Sequence, residues 1–246
     1  LYLVIAGPFI LSITNVIFPR LSRLTAGGNE SAFRDTIRQT VHSSLYFVLP
    51  MSAGLMAVSC PLISFLYGGG EFDGFAVDIT SSALVFLSLG MAGYAVQNIL
   101  SRAYFARQDG KTPLVAGAVS ILVNIALCMA LTGPFRVAGL AFSSAVSSTV
   151  YALLLLLPMQ RRGEGVLDGG MARDLLKMLL SAAATGLAAA GTLYLLGGVL
   201  PGGKLGELLC LGGCALVGLI VYFVLTLALA VPEAKLVVSL ARNKRD

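Results

Sequence analysis

The chain has 246 residues, of which 57% are hydrophobic and 12% charged, with a formal net charge of +5. That apolar share is a poor match to a water-soluble core, and the charges are too dispersed to form a nucleic-acid surface. A soluble enzyme and a DNA- or RNA-binding module are therefore excluded, and a polytopic α-helical membrane protein is expected.

Seven charge-free apolar stretches follow one another at 1–18, 43–66, 79–101, 112–135, 137–160, 178–200 and 208–231. Each is near or above the roughly 20 residues a helix needs to cross about 30 Å of hydrocarbon. The predicted class is all-α: a transmembrane bundle of about seven helices forming a single membrane domain. The first stretch begins at Leu1, with no basic region before it and no small-residue cleavage pattern. It reads as a truncated transmembrane helix rather than a signal peptide. Pro8 lies inside it and Pro50 inside the second stretch, and each is expected to kink its helix.

The connection from Pro19 to His42 contains Gly27-Gly28, and Asn29 is a plausible helix cap. Phe33, Ile37 and Val41 recur every four residues beside Arg34 and Arg38, which predicts a short amphipathic helix lying on the membrane interface. The alternative is a solvated connector. His42, the chain's only histidine, is expected at the interface rather than in a proton relay. Between the second and third stretches, Gly68-Gly69-Gly70 with Glu71, Asp73 and Asp78 reads as a flexible turn. No Lys-Ser/Thr follows it, so it is not a phosphate loop. Thr112-Pro113 opens the fourth helix, with Thr112 expected as its cap. The last two stretches carry small residues at spacings of four, Ala182, Gly186 and Ala190, then Cys210, Cys214 and Gly218, which lets helices approach closely. Cys60 and Cys128 also lie in apolar stretches. No cysteine spacing suggests a metal site, and all four read as packing residues.

Apart from Arg136 and Lys204, every Lys and Arg falls in alternate gaps or in the tail. They are Arg20, Arg23, Arg34 and Arg38; Arg102, Arg107 and Lys111; Arg161, Arg162, Arg173 and Lys177; and Lys235, Arg242, Lys244 and Arg245. Basic loops stay in the cytoplasm, so the first helix runs from outside to inside and the C-terminus is cytoplasmic. An odd number of helices with an outward N-terminus predicts that something precedes this chain.

No Asp, Glu, Lys, Arg or His falls near the middle of a predicted helix, which argues against membrane-embedded catalysis. No cofactor and no metal is expected. Uncharged polar faces do occur: Ser12 and Asn15; Tyr94, Gln97, Asn98 and Ser101; Ser120 and Asn124; and Ser144, Ser147, Ser148 and Tyr151. Amides in hydrocarbon are costly unless paired, so these faces meet protein or water. They are either interhelical hydrogen-bonding groups or the lining of a hydrophilic cavity.

Specific residues also carry a family resemblance. The run Ile17-Phe18-Pro19-Arg20-Leu21-Ser22-Arg23-Leu24 resembles the L/F-P-x-L-S-K/R signature of the MurJ/MviN lipid II flippases. These belong to the multidrug/oligosaccharidyl-lipid/polysaccharide exporter superfamily. Leu66-Tyr67-Gly68-Gly69-Gly70-Glu71-Phe72 resembles the family's outer loop. The run Ser101-Arg102-Ala103-Tyr104-Phe105-Ala106-Arg107-Gln108-Asp109-Gly110-Lys111-Thr112-Pro113 resembles its R-A-F/Y-Y/F-A-x-x-D-x-x-T-P motif, and Gly139-Leu140-Ala141 the start of its twelfth helix.

The resemblance implies most of helices eight to fourteen of a fourteen-helix fold. Residues 1–160 would form most of the second six-helix lobe, 174–232 two extra transmembrane helices, and 233–246 a cytoplasmic tail. The N-terminal lobe would be missing. It further implies a non-enzymatic transporter of the bacterial inner membrane, moving the undecaprenyl-diphosphate-linked peptidoglycan precursor by alternating access. Its partners would be that precursor, membrane lipids and the N-terminal lobe, with no nucleic acid. In the family the extra helix pair borders a groove for the lipid tail, while the cavity arginines lie largely outside this chain. The residues expected in a cavity or at its cytoplasmic mouth are Ser12, Asn15, Arg20, Arg23, Gln97, Asn98, Arg102 and Asn124, with Arg107 as a further contact. For the arginines the alternative is a purely topological role. Export of another lipid-linked oligosaccharide, or a scaffold for cell-wall synthesis, are the rival functions.

Overall fold

A computed structural model describes residues 2–69, 73–161, 166, 169–197 and 203–234. Loop residues 70–72, Arg162 and the tail 235–246, with its Lys235, Arg242, Lys244 and Arg245, lie outside the described residues. The fold is an all-α bundle of α1 (Tyr2–Ala26), α2 (Glu30–Ala57), α3 (Ser59–Tyr67), α4 (Gly74–Leu89), α5 (Met91–Ala106), α6 (Lys111–Arg161), α7 (Gly169–Gly197) and α8 (Lys204–Ala228).

The 51 residues of α6 are two helices rather than one rod. Arg136 stands between them with φ 49° and ψ −127°, outside helical space. Beyond it the chain returns along itself. Ser120 Oγ donates to the Ser147 carbonyl at 2.8 Å, and Tyr151 Oη to the Pro113 carbonyl at 3.2 Å. At the turn, a Cβ on Gly139 would sit 2.5 Å from the Leu131 carbonyl oxygen, so only glycine permits this approach. Each arm of the hairpin, 111–135 and 137–161, has the length of a full span.

Three helices, α6, α7 and α8, are long and apolar enough to cross a membrane, and α2–α3 and α4–α5 qualify as bent pairs. With α6 counted as a hairpin these make six of the seven crossings read from the sequence, and α1, at 25 residues, has the length of the seventh. Leu122, Ile125, Met129, Leu187, Leu216 and Ile220 point outward, more than half exposed. Such continuous apolar surface suits contact with lipid.

Several boundaries differ from expectation. The segment around Phe33, Ile37 and Val41 is not a separate interfacial helix. It forms the first turns of α2, and its apolar stripe is 1% exposed at each of the three residues. Packing against Leu21, Leu100 and Tyr104 buries this stripe more completely than a membrane surface would. Asn29 does cap α2, with Oδ1 accepting from Ala32 N at 3.1 Å. The large bend in the second stretch, 71°, falls at Val58 rather than at Pro50. Pro61, in the first turns of α3, has no N–H to return to Ala57, so the ladder breaks just before it. The third stretch bends by 44° at Gly90. A Cβ there would lie 2.6 Å from Ala145 Cα, so the glycine lets this corner seat on α6.

α1 continues past Pro19 to Ala26, and α7 begins at Gly169, ahead of Met178. Arg20 and Arg23, or Arg173 and Lys177, are thus carried on helical extensions at one end of the bundle. The small-residue stripes pack as expected, except that Gly186 faces Ala53 of α2 and Ala190 is exposed. Cys210 and Cys214 are buried, Cys128 half-buried and Cys60 exposed.

Candidate functional site: two grooves along α2

One end of the bundle gathers the basic corners. Here the Arg107 guanidinium pairs with Glu30 and stacks over the Phe33 ring at 4.3 Å. This joins the α5–α6 corner to the start of α2. Asp109 accepts from Thr112 N at 3.1 Å and from Thr112 Oγ1 at 2.8 Å, so Asp109 caps the first turn of α6 and Thr112 is the donor, not the cap. Tyr104 Oη donates to the Leu155 carbonyl at 2.8 Å. The conspicuous motif at 101–113 is thus a structural corner that locks α2, α5 and α6 together.

His42 is buried against protein rather than exposed at the bundle's surface. It is 9% exposed, and its Nδ1 pairs with Glu233, just beyond α8. The sequence places these residues 191 positions apart, so no spacing signal joins them. Nearby, Tyr222 Oη donates to the Tyr46 carbonyl at 2.6 Å and Tyr46 Oη lies 3.2 Å from Thr226 Oγ1. These contacts bind the end of α8 to α2.

Two grooves run beside α2. At the turns nearest the basic end, a groove of about 500 Å³ lies between α1 and α2. Ser12 and Arg20 of α1 line it, opposite Thr36, Gln39, Thr40 and Ser43 of α2. Further along α2, a groove of about 390 Å³ opens between α2, α7 and α8. Its walls are almost wholly apolar and include Leu55, Val58, Ala189, Leu211, Cys214 and Gly218.

The sequence-predicted site residues do not converge on one place. Ser12, Asn15, Arg20 and Arg23 are exposed on α1, but of these only Ser12 and Arg20 line the polar groove. Gln97, Asn98 and Arg102 are half-buried on α5. Asn98 Nδ2 donates to the Tyr94 carbonyl of its own helix at 2.7 Å, and Gln97 Oε1 is buried without a partner among the described residues. Asn124 bonds Ser147 Oγ at 3.1 Å across the α6 hairpin. In that hairpin the polar faces are interhelical hydrogen-bonding groups. The groove residues missed in the sequence, Gln39, Thr40 and Ser43, share a helical face three and four residues apart, a signal present but masked by the stronger apolar stripe.

A family model for the lipid II flippase MurJ matches residues 1–211. The Lipid II flippase MurJ of Thermosipho africanus (strain TCF52B) is 28% identical over 159 residues, 65% of this chain and 32% of that protein. The Probable lipid II flippase MurJ of Thermotoga maritima is 32% identical over 160 residues, 65% of this chain and 33% of that protein. A solved Lipid II flippase MurJ in an inward closed conformation superposes with a TM-score of 0.70 at 24% identity, covering 93% of this chain and 46% of that one. This chain spans about a third of the length of these two relatives. With a helical membrane fold and a family match over most of its length, the chain belongs to the lipid II flippase MurJ family.

Proposed function

We propose that this chain is the C-terminal part of a transporter that moves the undecaprenyl-diphosphate-linked peptidoglycan precursor from the inner to the outer leaflet. Residues 1–160 belong to the second lobe, 174–232 form the extra helix pair, and 233–246 are a tail. The basic end faces the cytoplasm of a bacterium, as the distribution of Lys and Arg requires. The function needs an opposing N-terminal lobe, so that a cavity between the two opens alternately to each side.

The observation that carries this reading is the apolar groove between α2, α7 and α8. A polyprenyl chain stays in lipid while its charged head crosses, and an apolar cleft against the lobe guides that chain. The small residues Gly54, Ala189, Cys214, Ala215 and Gly218 leave the cleft open where larger side chains would fill it.

The test is complementation of cells depleted of their own flippase, using the two-lobed protein. Ala215→Phe and Leu211→Trp, which narrow the groove, are expected to lower growth rescue at unchanged expression. Asn98→Ala serves against the scaffold alternative: lost rescue at unchanged expression and thermal stability would count against a scaffold, which tolerates loss of an internal polar group that leaves its surface intact. Failure of the unsubstituted protein to rescue would shift the function to another lipid-linked saccharide or to a scaffold.

A further inference from the structure

We infer that the groove between α1 and the first half of α2 is a binding subsite for the sugar-diphosphate head of a lipid-linked saccharide, with Arg20 on the phosphate and Gln39, Thr40 and Ser43 on the sugar. This inference rests on the transport function proposed above and assigns it residues.

Position is the first observation. The groove lies where α1 passes from its charge-free stretch through Pro19 to Arg20, and where α2 passes from Gln39 to Ser43 and the second charge-free stretch. These are the levels at which a lipid's head group meets its tail. The head of a lipid-anchored ligand reaches this depth without leaving the membrane.

Chemistry is the second. Arg20 takes part in no ion pair among the described residues. Among the described residues, no Asp or Glu lines the groove with it. Its planar fork is suited to two phosphate oxygens. Around it stand one amide and several hydroxyls, from Ser12, Thr36, Gln39, Thr40 and Ser43. A phospholipid phosphate needs only the cation. A saccharide presents ring hydroxyls and amides that require many donors and acceptors, which is what the α2 wall supplies. A volume of about 500 Å³ is in the range of small-ligand clefts and suits a diphosphate with its first sugar.

An unmet polar group is the third. Ser44 is 1% exposed, lines this groove, and its Oγ has no hydrogen-bond partner among the described residues. Buried hydroxyls are normally satisfied, so an orphan in the groove wall marks a place where a ligand oxygen or its bridging water completes the bonding. Thr40 and Ser12, by contrast, bond their own helix at 2.7 and 2.6 Å.

The test uses the two-lobed protein in phosphatidylcholine nanodiscs, with a benzoylphenylalanine photocrosslinker replacing Val16, which lines the groove without an assigned contact, and lipid II as the probe. Irradiation is expected to give a lipid II adduct. Arg20→Ala should lower its yield about tenfold, as for loss of one charge-assisted contact, and Arg20→Lys by less. Ser44→Ala should lower the yield while leaving thermal stability unchanged or raised, because it removes an orphan hydroxyl. An excess of phosphatidylglycerol, or of inorganic pyrophosphate, should compete by less than about twofold. Equal competition by phosphatidylglycerol would make the groove a phospholipid site and overturn the inference. So would an adduct to the protein's own N-terminal lobe, no adduct, or an Arg20→Ala yield equal to the parent's. Outer-leaflet lipid II is measured with the unsubstituted protein in the same series. Transport without a groove adduct would refute the subsite and leave the function standing, whereas absence of transport would refute the function itself.

Discussion

Replacing Gly90 with alanine tests whether the bend between α4 and α5 is set by its seat on the second arm of α6. The backbone at Gly90, φ −77° and ψ −8°, is open to any L-residue, so conformational strain is not the obstacle. The obstacle is space. The new Cβ would stand 2.6 Å from Ala145 Cα and 2.8 Å from Ala145 Cβ. Ordinary carbon–carbon separations begin near about 3.5 Å, so the helices must separate by roughly 1 Å along this seam. Backbone atoms cannot swing aside as a long side chain would. Gly93, one turn on, is equally tight against Thr149 backbone at 2.9 Å, so the corner has no slack to absorb the shift. Overpacking of this kind costs about 1–3 kcal/mol, and better helix propensity returns up to about 1 kcal/mol. The net is about 1–2 kcal/mol, a fall of about 2–8 °C in Tm. Thermal unfolding in detergent measures it. Gly191→Ala is the comparison, because nothing lies within 4 Å of its added Cβ, and it should be neutral or stabilising. Adding Ala145→Gly to Gly90→Ala should recover only part of the loss, since the clash with the backbone of residue 145 remains. A Gly90→Ala protein as stable as Gly191→Ala would refute the reasoning.

Other substitutions probe the contacts at the basic end. His42→Gln and Glu233→Gln should each destabilise by roughly 1–3 kcal/mol, because each disturbs one partner of a buried hydrogen-bonded pair. The double variant should lose less than the sum, and an additive cycle in thermal unfolding would contradict a direct pair. Tyr222→Phe removes the hydroxyl that donates to the Tyr46 carbonyl and should cost about 1 kcal/mol in the same assay. Asp109→Ala should cost about 1 kcal/mol through loss of the cap on α6, while Asp109→Asn should retain most of it.

The spans were legible because charge-free runs near or above the length of a crossing have few other readings. Even the one-residue hairpin at Arg136 was marked, as the single charge between two apolar runs. What stayed hidden depended on tertiary partners. The stripe Phe33, Ile37 and Val41 has the same period whether it faces lipid or protein, and only the proximity of Leu21 and Tyr104 decides. The bend at Val58 follows from Pro61, but Pro50 carried the same signal without that bend. His42 and Glu233 meet across the fold, and nothing local to either residue points to the other. For the candidate site, Ser12 and Arg20 were visible as a polar face and a basic anchor on one helix. The α2 wall opposite them was not, because Gln39, Thr40 and Ser43 are ordinary connector residues until α1 packs beside them. Asn124 read as an interhelical group or as cavity lining, and only the fold supplies its partner, Ser147, across the α6 hairpin.

The most direct measurement is the amount of lipid II accessible at the outer surface of cells depleted of their own flippase and supplied with the two-lobed protein. Restored externalisation, reduced by Ala215→Phe in the apolar groove, is the expected result. Normal membrane insertion and expression with no externalised lipid II would contradict the proposed transport.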